Sequence, residues 1–450
     1  MTRNYDVVII GTGTAAATVA YECRAAGWQV AMIDSRPFGG TCVLRGCDPK
    51  KVLVGAGQVL DWVQRMEGRG VEAGKMEIRW PDLMRFKRTF TEPVPKMREE
   101  SFANAGIAAF HGRARFIGKT AVQVGEDVLE GRYVVVAAGA KPASLKIPGE
   151  ELLTTSDQFL DLDALPASII FVGGGYISFE FAYLAVRAGS RVTILHREAR
   201  PLAGFDPDLV DRLVQKTREL GIDLQLGATV ESIEGVRGRL IVHAARQGQK
   251  MTVAAEMAVH GAGRVPEIDD LNLEAGEVDR VRQGVKVNEY LQSASNAAVY
   301  AAGDAAASGG LPLTPVAGYE GGIVAANLLK GNHQQPDYLG IPTVVFTVPS
   351  LASVGLQEKA AREKGLRFKV NQGDSSGWYS SRRVNEKYSG FKVLVEEKTE
   401  RILGAHLLGS EASELINIFA LAIRAGMPAA HLKSTIFSYP TYASDVQYML

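Results

Sequence analysis

The sequence predicts an α/β fold: two Rossmann-like dinucleotide-binding modules followed by a C-terminal α+β segment. Three observations carry this. A β-branched apolar run, YDVVII at Tyr5 to Ile10, passes through a glycine turn into a helix-compatible stretch that Gly27 stops, and a second apolar run, WQVAMID, ends at Asp34. Strand, turn, helix, strand is one βαβ unit. The pattern returns as SIIFV (168–172), Gly173-Gly174-Gly175, a helix to Ala188, the stop at Gly189 and the run RVTIL. After about residue 331 the character changes, and mixed strands such as FKVLVEE and ILGAHLLG precede an apolar helix around Glu414 to Ala425.

Between the modules, YVVVAA (133–138) is a further buried strand closed by Gly139. Met257 to Gly263 and Val299 to Ala302 are matching strands, the second closed by Gly303-Asp304. The 450 residues leave room for several domains at roughly 100–200 residues each. Apolar residues make up 46% and charged residues 22%, a balance that can fill cores and argues against long disorder. Fifty Lys+Arg offset fifty Asp+Glu, whereas a nucleic-acid binder would be basic, so no nucleic-acid partner is expected. Three cysteines do not make a disulfide-stapled secreted scaffold. The longest uncharged stretch, Tyr338 to Gln357, holds Gly340, Pro342, Pro349 and Gly355 and reads as strand and loop, so no membrane span is expected. Arg3 and Asp6 flank a short apolar run that is no signal sequence, and a cytoplasmic location is expected.

Gly11-x-Gly13-x-x-Ala16 follows a strand and opens a helix. The first glycine allows the tight turn, and the second lets a pyrophosphate approach backbone N–H groups at a helix N-terminus. Asp34 ends the second strand, where an acid can bond ribose hydroxyls.

The run Gly39-Gly40-Thr41-Cys42-Val43-Leu44-Arg45-Gly46-Cys47-Asp48-Pro49-Lys50-Lys51 pairs two thiols. They could hold a metal, form a structural disulfide or form a redox disulfide. Zinc wants four ligands, and the nearest histidine is His111, so no metal site is expected. A regular helix would hold these Cα atoms too far apart to bridge, so a bridge needs a distorted first turn, for which Gly46 and Pro49 are suited. A helix N-terminus also lowers a thiol pKa. A structural role is the weaker account, because closing so short a loop stabilises little. Cys23, in the first helix, reads as a small packing residue.

This run resembles the pyridine nucleotide–disulfide oxidoreductases, the flavoprotein family of glutathione reductase, dihydrolipoamide dehydrogenase and mercuric reductase. The resemblance covers essentially the whole chain. It continues through Ala138-Gly139-Ala140-Lys141-Pro142, Gly173-Gly174-Gly175-Tyr176-Ile177-Ser178-Phe179-Glu180, Gly263-Arg264-Val265-Pro266, Ala302-Gly303-Asp304 and LTPVAGYEG at 313–321, to IPTVVFT at 341–347 and GAHLLG at 404–409. It implies an FAD domain over 1–147 and 265–330, a nicotinamide domain over 148–264 and an interface domain over 331–450 that makes an obligate homodimer. FAD would be held by Gly11, Gly13, Asp34 and Thr41, with Asp304 bonding its ribityl or pyrophosphate region, and Ala16, Gly139 and Gly263 would be further cofactor-binding residues. Cys47 would lie against the flavin, and Cys42 would meet the substrate. Lys50 would sit near flavin N5 and pair with Glu180, and Tyr176 would gate the nicotinamide pocket. A cation beside N5 stabilises the charge of reduced flavin.

The second module carries Gly173-x-Gly175-x-x-Ser178, and its second strand ends Ile194-Leu195-His196-Arg197. No acid stands where NAD-selective modules place one, and Arg197 and Arg200 follow, which suits a 2′-phosphate. NADPH is therefore the expected donor, with NADH as the second candidate.

The chain leaves the family pattern near its C-terminus. Disulfide reductases of the family end in His-Pro-Thr-x-x-Glu, whose His is a general acid. This chain reads Tyr439-Pro440-Thr441-Tyr442-Ala443-Ser444-Asp445. A Tyr with a pKa near 10 shuttles protons poorly at neutral pH. Mercuric reductases share a Tyr there but need a further C-terminal Cys pair, and this chain ends Tyr448-Met449-Leu450. Tyr21 or Glu22 occupies the position where glutathione reductases carry an Arg. The expected function is electron transfer from NADPH through FAD and Cys42–Cys47 to a small-molecule or small-thiol acceptor. One alternative is a quinone or metal-ion reductase with little disulfide reductase activity; another is a redox sensor or scaffold without turnover.

Overall fold

The computed structural model describes residues 2–74 and 76–450. The chain forms two compact units: one of residues up to Lys50 with Arg85–Ala143 and Gly263–Asp337, the other of Lys51–Met84, Ser144–Ala262 and Tyr338–Leu450.

In the first unit β1 (Thr2–Ile10) runs parallel to both β2 (Val30–Asp34) and the strand Asp127–Val136, with Ile10 in register with Ile33 and Val136. Ala108–His111 extends the sheet beyond β2, and Val299–Ala301 pairs in parallel with Asp127–Val136. Val7, Val8 and Ile9 are all fully buried. A strand covered on both faces is apolar without alternation, which is why YDVVII reads as a continuous run. Helix α1 (Thr14–Ala25) covers one face, packing Ala16 and Val19 with Val324 and Leu328 of the helix Thr314–Lys330. The two helices approach closely at Gly321, where a Cβ would lie 2.7 Å from the Ala15 carbonyl oxygen. Cys23 is fully buried in this cluster, and burial pushes its thiol up to about 12. It packs, as expected, and does not present a thiolate.

In the second unit a four-stranded parallel sheet runs in the order Asp223–Leu226, Arg191–His196, Ser168–Val172 and Met257–His260. It carries the helix Tyr176–Arg187 behind its glycine turn. Three strands spanning residues 228–255 form a separate antiparallel meander. A five-stranded antiparallel sheet holds Thr343–Val345, Ser350–Gly355, Ile402–Gly409, Gly390–Glu396 and Phe368–Asp374 in that order. The helix Ala412–Arg424 buries Leu415, Ile416, Phe419 and Ile423 against it. Among the described residues no helix is long and apolar enough to cross a membrane.

Candidate active site

The first glycine turn is closed by backbone contact. Gly11 has φ +115°, and a Cβ there would lie 2.3 Å from the Ala137 carbonyl oxygen. Gly40 has φ +74°, and its Cβ would lie 2.5 Å from Gly13 Cα. Side chains at either position would fill the space that the loops use to touch. Ala16 is buried at the start of α1. Asp34 accepts the Thr12 N–H and hydroxyl on Oδ2, at 3.1 and 2.6 Å, and the Arg36 N–H on Oδ1 at 2.9 Å. Thr12 Oγ1 also accepts the Gly39 N–H at 3.2 Å, tying the fingerprint turn to the cysteine run. A carboxylate offers about four acceptor positions, so Asp34 keeps capacity for a hydroxyl.

Gly139 and Gly263 have φ +74° and +111° and flank the short antiparallel pair of Ala140–Pro142 with Arg264–Pro266. The Arg264 guanidinium donates to the Ala140 carbonyl. Asp304 follows Gly303, whose N–H donates to the buried Glu320 carboxylate at 2.7 Å. No donor among the described residues reaches the Asp304 carboxyl, and burial raises its pKa, opposed by the charge of Arg264. A half-buried carboxyl without a partner is a position that a ligand hydroxyl satisfies. The glycine cradle, Asp34 and Asp304 therefore fit a dinucleotide such as FAD.

The cysteine run forms two helices. Helix α2 (Gly40–Arg45) carries Thr41 and Cys42, and α3 (Cys47–Met66) starts at the second thiol. Gly46 breaks them apart at φ −141°, ψ −116°, where a Cβ would lie 2.8 Å from the Thr41 carbonyl oxygen. The two thiols are thus separated by a break between helices, where the sequence suggested one distorted first turn. Both thiols are free. The Cys42 thiol hydrogen bonds to the Cys47 sulfur and pulls the Cys47 pKa down to about 6, against burial and with help from Thr314 and Lys50. Thr314 Oγ1 lies 3.5 Å from Cys47 Sγ. Cys42 is pushed up by the same hydrogen bond and by burial. Its Sγ lies 3.9 Å from Asp48 Oδ1. The pair therefore divides into a proton-bearing Cys42 and a thiolate Cys47 at a helix N-terminus.

In the second module a Cβ on Gly173 would lie 2.4 Å from the Gly261 carbonyl oxygen, and Gly175 starts the helix Tyr176–Arg187. Ser178 is fully buried where Gly261 passes, and a Cβ on Gly261 would meet its hydroxyl at 1.9 Å. Glu180 is 3% exposed, and its Oε1 accepts the Phe346 N–H at 2.8 Å, so it is no surface charge. The helix bearing Glu180 is tied to α3 by Arg187, which meets Asp61 at 2.7 Å with both groups buried. Lys50 is partly buried on the first turn of α3, and Tyr176 is exposed. Arg197 is exposed beside Glu198 at 3.0 Å, and Arg200 is committed to Asp211 by two bonds of 3.0 and 3.1 Å.

Tyr439 is 78% exposed and stacks on Tyr379 with ring centroids 6.5 Å apart. Ser444 is buried and forms a reciprocal cap with Thr441. Asp445 is half-buried, and burial raises its pKa against a hydrogen bond from Ser380. Thr12, Asp48, Thr314 and Glu320 stand at these sites without having been singled out in the sequence. Each lies inside a motif noted for its neighbours.

The family model described as pyridine nucleotide-disulphide oxidoreductase matches residues 5–321, and that of the same family's dimerisation domain matches residues 341–450. The chain is 33% identical to a glutathione reductase of Burkholderia cepacia, over 98% of this chain and 97% of that one. It is 32% identical to a mercuric reductase of Bacillus cereus, over 99% of this chain and 70% of that one. The structure of the HOCl-induced flavoprotein disulfide reductase RclA of Escherichia coli, solved as a Cu(II) complex, superimposes with TM-score 0.88 at 28% identity over 99% of both chains.

Proposed function

From a chain that belongs to the pyridine nucleotide–disulfide oxidoreductase family, we propose an enzyme that draws electrons from NADPH and delivers them through Cys42 and Cys47 to a small-molecule acceptor. It is an FAD-dependent, pyridine-nucleotide-linked oxidoreductase with a redox-active cysteine pair. FAD, when bound, supplies the two-electron link between nicotinamide and disulfide. The residues divide the remaining work. Gly11, Gly13, Asp34 and Asp304 would hold the dinucleotide. Cys42 would attack the acceptor, and Cys47 would close the disulfide. The observation that carries this is the placement of the two thiols on either side of the Gly46 break, with Cys47 at the head of α3 and its Sγ 3.5 Å from Thr314 Oγ1. Screening NADPH oxidation against glutathione disulfide, lipoamide, small disulfides, quinones and thiophilic metal ions tests it. A disulfide acceptor turned over only with both cysteines intact supports it. A protein that neither purifies with nor takes up FAD removes it.

Two supports favour a second acceptor class, quinones or metal ions. Tyr439 stands where disulfide reductases carry a proton-donating His, and mercuric reductases are among the relatives. For the nucleotide, among the described residues Arg197 has no partner stronger than its exposed neighbour Glu198, and surface pairs of this kind hold weakly. A 2′-phosphate competes with such a pair. NADPH is expected to give the higher kcat/KM in steady-state assays, and a higher value with NADH would overturn the preference. The dimerisation domain supports a homodimer.

A further inference from the structure

We propose that Asp48 is the acid–base residue of the cysteine pair: its carboxylate takes the Cys42 proton during attack on a disulfide and returns it to the leaving thiolate. The inference rests on the disulfide-reducing reading above. Cys42 carries one thiol proton and faces two acceptors, the Cys47 sulfur and Asp48 Oδ1 at 3.9 Å. The first is unsuitable, because a proton delivered to Cys47 would quench the thiolate that must attack next. Asp48 lets Cys42 become a nucleophile while Cys47 keeps its charge. The position reached by the His of the family pattern holds Tyr439, so this relay supplies what that motif lacks.

The steps balance. Cys42 sulfur attacks RS–SR, forming Cys42–S–SR and breaking the substrate bond, as its proton moves to Asp48. The leaving RS⁻ takes that proton and departs as RSH. The Cys47 thiolate then attacks Cys42 sulfur, closing the Cys42–Cys47 disulfide and releasing the second RS⁻, which takes a proton from water. The substrate disulfide gains two electrons, and the cysteine pair loses them and is reduced again at the expense of the nicotinamide. The charged and titratable groups acting on the two thiols are each other, Asp48 and Lys50, with the Thr314 hydroxyl from the helix Thr314–Lys330.

An acid in the first turn of a helix also stabilises that helix through its dipole, so loss of stability alone would not discriminate. The test uses the full-length holoenzyme and its Asp48→Asn variant, with two readouts. The first is the pH profile of Cys42 alkylation by iodoacetamide in dithiothreitol-reduced protein, followed by mass spectrometry. Removing a negative charge at this distance, screened by solvent, is expected to move half-maximal Cys42 alkylation down by about one pH unit. The second is kcat/KM for a small disulfide at pH 7, expected to fall about 10²-fold, the low end for acid–base catalysis. Asp48→Glu is expected to recover part of the turnover. An unshifted alkylation profile, or turnover within twofold of the parent across pH 6–9, overturns the relay. Cys42→Ser separates the two claims: if it abolishes disulfide turnover while Asp48→Asn does not, the relay is wrong and the thiol pathway stands. If turnover survives Cys42→Ser, the thiol pathway itself is wrong.

Discussion

Cys42→Ser is expected to abolish reduction of every disulfide acceptor while leaving FAD bound. None of the groups proposed to hold the dinucleotide depends on the Cys42 sulfur. Asp34 is held by Thr12 and Arg36, and the glycine contacts are backbone. What the variant loses is the thiol proposed to meet substrate. Its hydroxyl can still donate to Cys47, which keeps the helix N-terminus, Thr314 and Lys50 around it. Cys47 should therefore stay a thiolate at neutral pH and give a long-wavelength absorbance band beside bound flavin without any reductant. The sign follows from a lowered thiol pKa: the band is present above the pKa of Cys47 in the variant and fades as the pH falls through it. Absorbance spectra of the purified variant between pH 5 and 8 check both points. Disulfide turnover that survives in Cys42→Ser and in Cys47→Ser would put the cysteines off the electron path.

The second large effect is a gain. Tyr439→His combined with Ser444→Glu is expected to raise kcat/KM for glutathione disulfide or lipoamide at pH 7 by about 10²-fold, the low end of the range for acid–base catalysis. Tyr439 is exposed and stacks on Tyr379, so its ring is free to be replaced without opening a core. Ser444 is buried, but it stands three residues after the capping Thr441, where a Glu completes the same reciprocal cap. The low end applies because Asp48 already moves one proton. In the double variant Asp48→Asn should accordingly cost less than in the parent. A parent enzyme that already works at the upper end of the usual range, about 10⁴–10⁸ M⁻¹s⁻¹, would show that Tyr439 is no handicap.

Much of this was legible in the sequence because the signals are local. YDVVII reads as a strand, and the structure buries Val7, Val8 and Ile9 fully. The glycines of both fingerprints are required where backbone meets backbone, as Gly11 meets Ala137 and Gly173 meets Gly261. The family match extends from these motifs over both matched domains. What stayed hidden depends on long-range placement. Thr12 looks like a spacer between glycines until β2 brings Asp34 beside it, 22 positions away in sequence. Thr314 meets Cys47 across 267 positions. The meander at residues 228–255 alternates weakly and carries many exposed charged residues, so its strands gave no clear period. Asp48 was in plain view, but an acid after the first helical residue has an ordinary explanation as a favourable dipole charge. Only its 3.9 Å approach to Cys42 gives it chemistry.

The central claim is that electrons pass through Cys42 and Cys47, and an anaerobic thiol count tests it most directly. Oxidised holoenzyme receives one equivalent of NADPH, is quenched with an alkylating reagent, and is mapped by mass spectrometry. Both Cys42 and Cys47 should be unmodified before NADPH and alkylated after it, with Cys23 protected throughout by its burial. Flavin that bleaches while Cys42 and Cys47 stay resistant to alkylation would contradict the account.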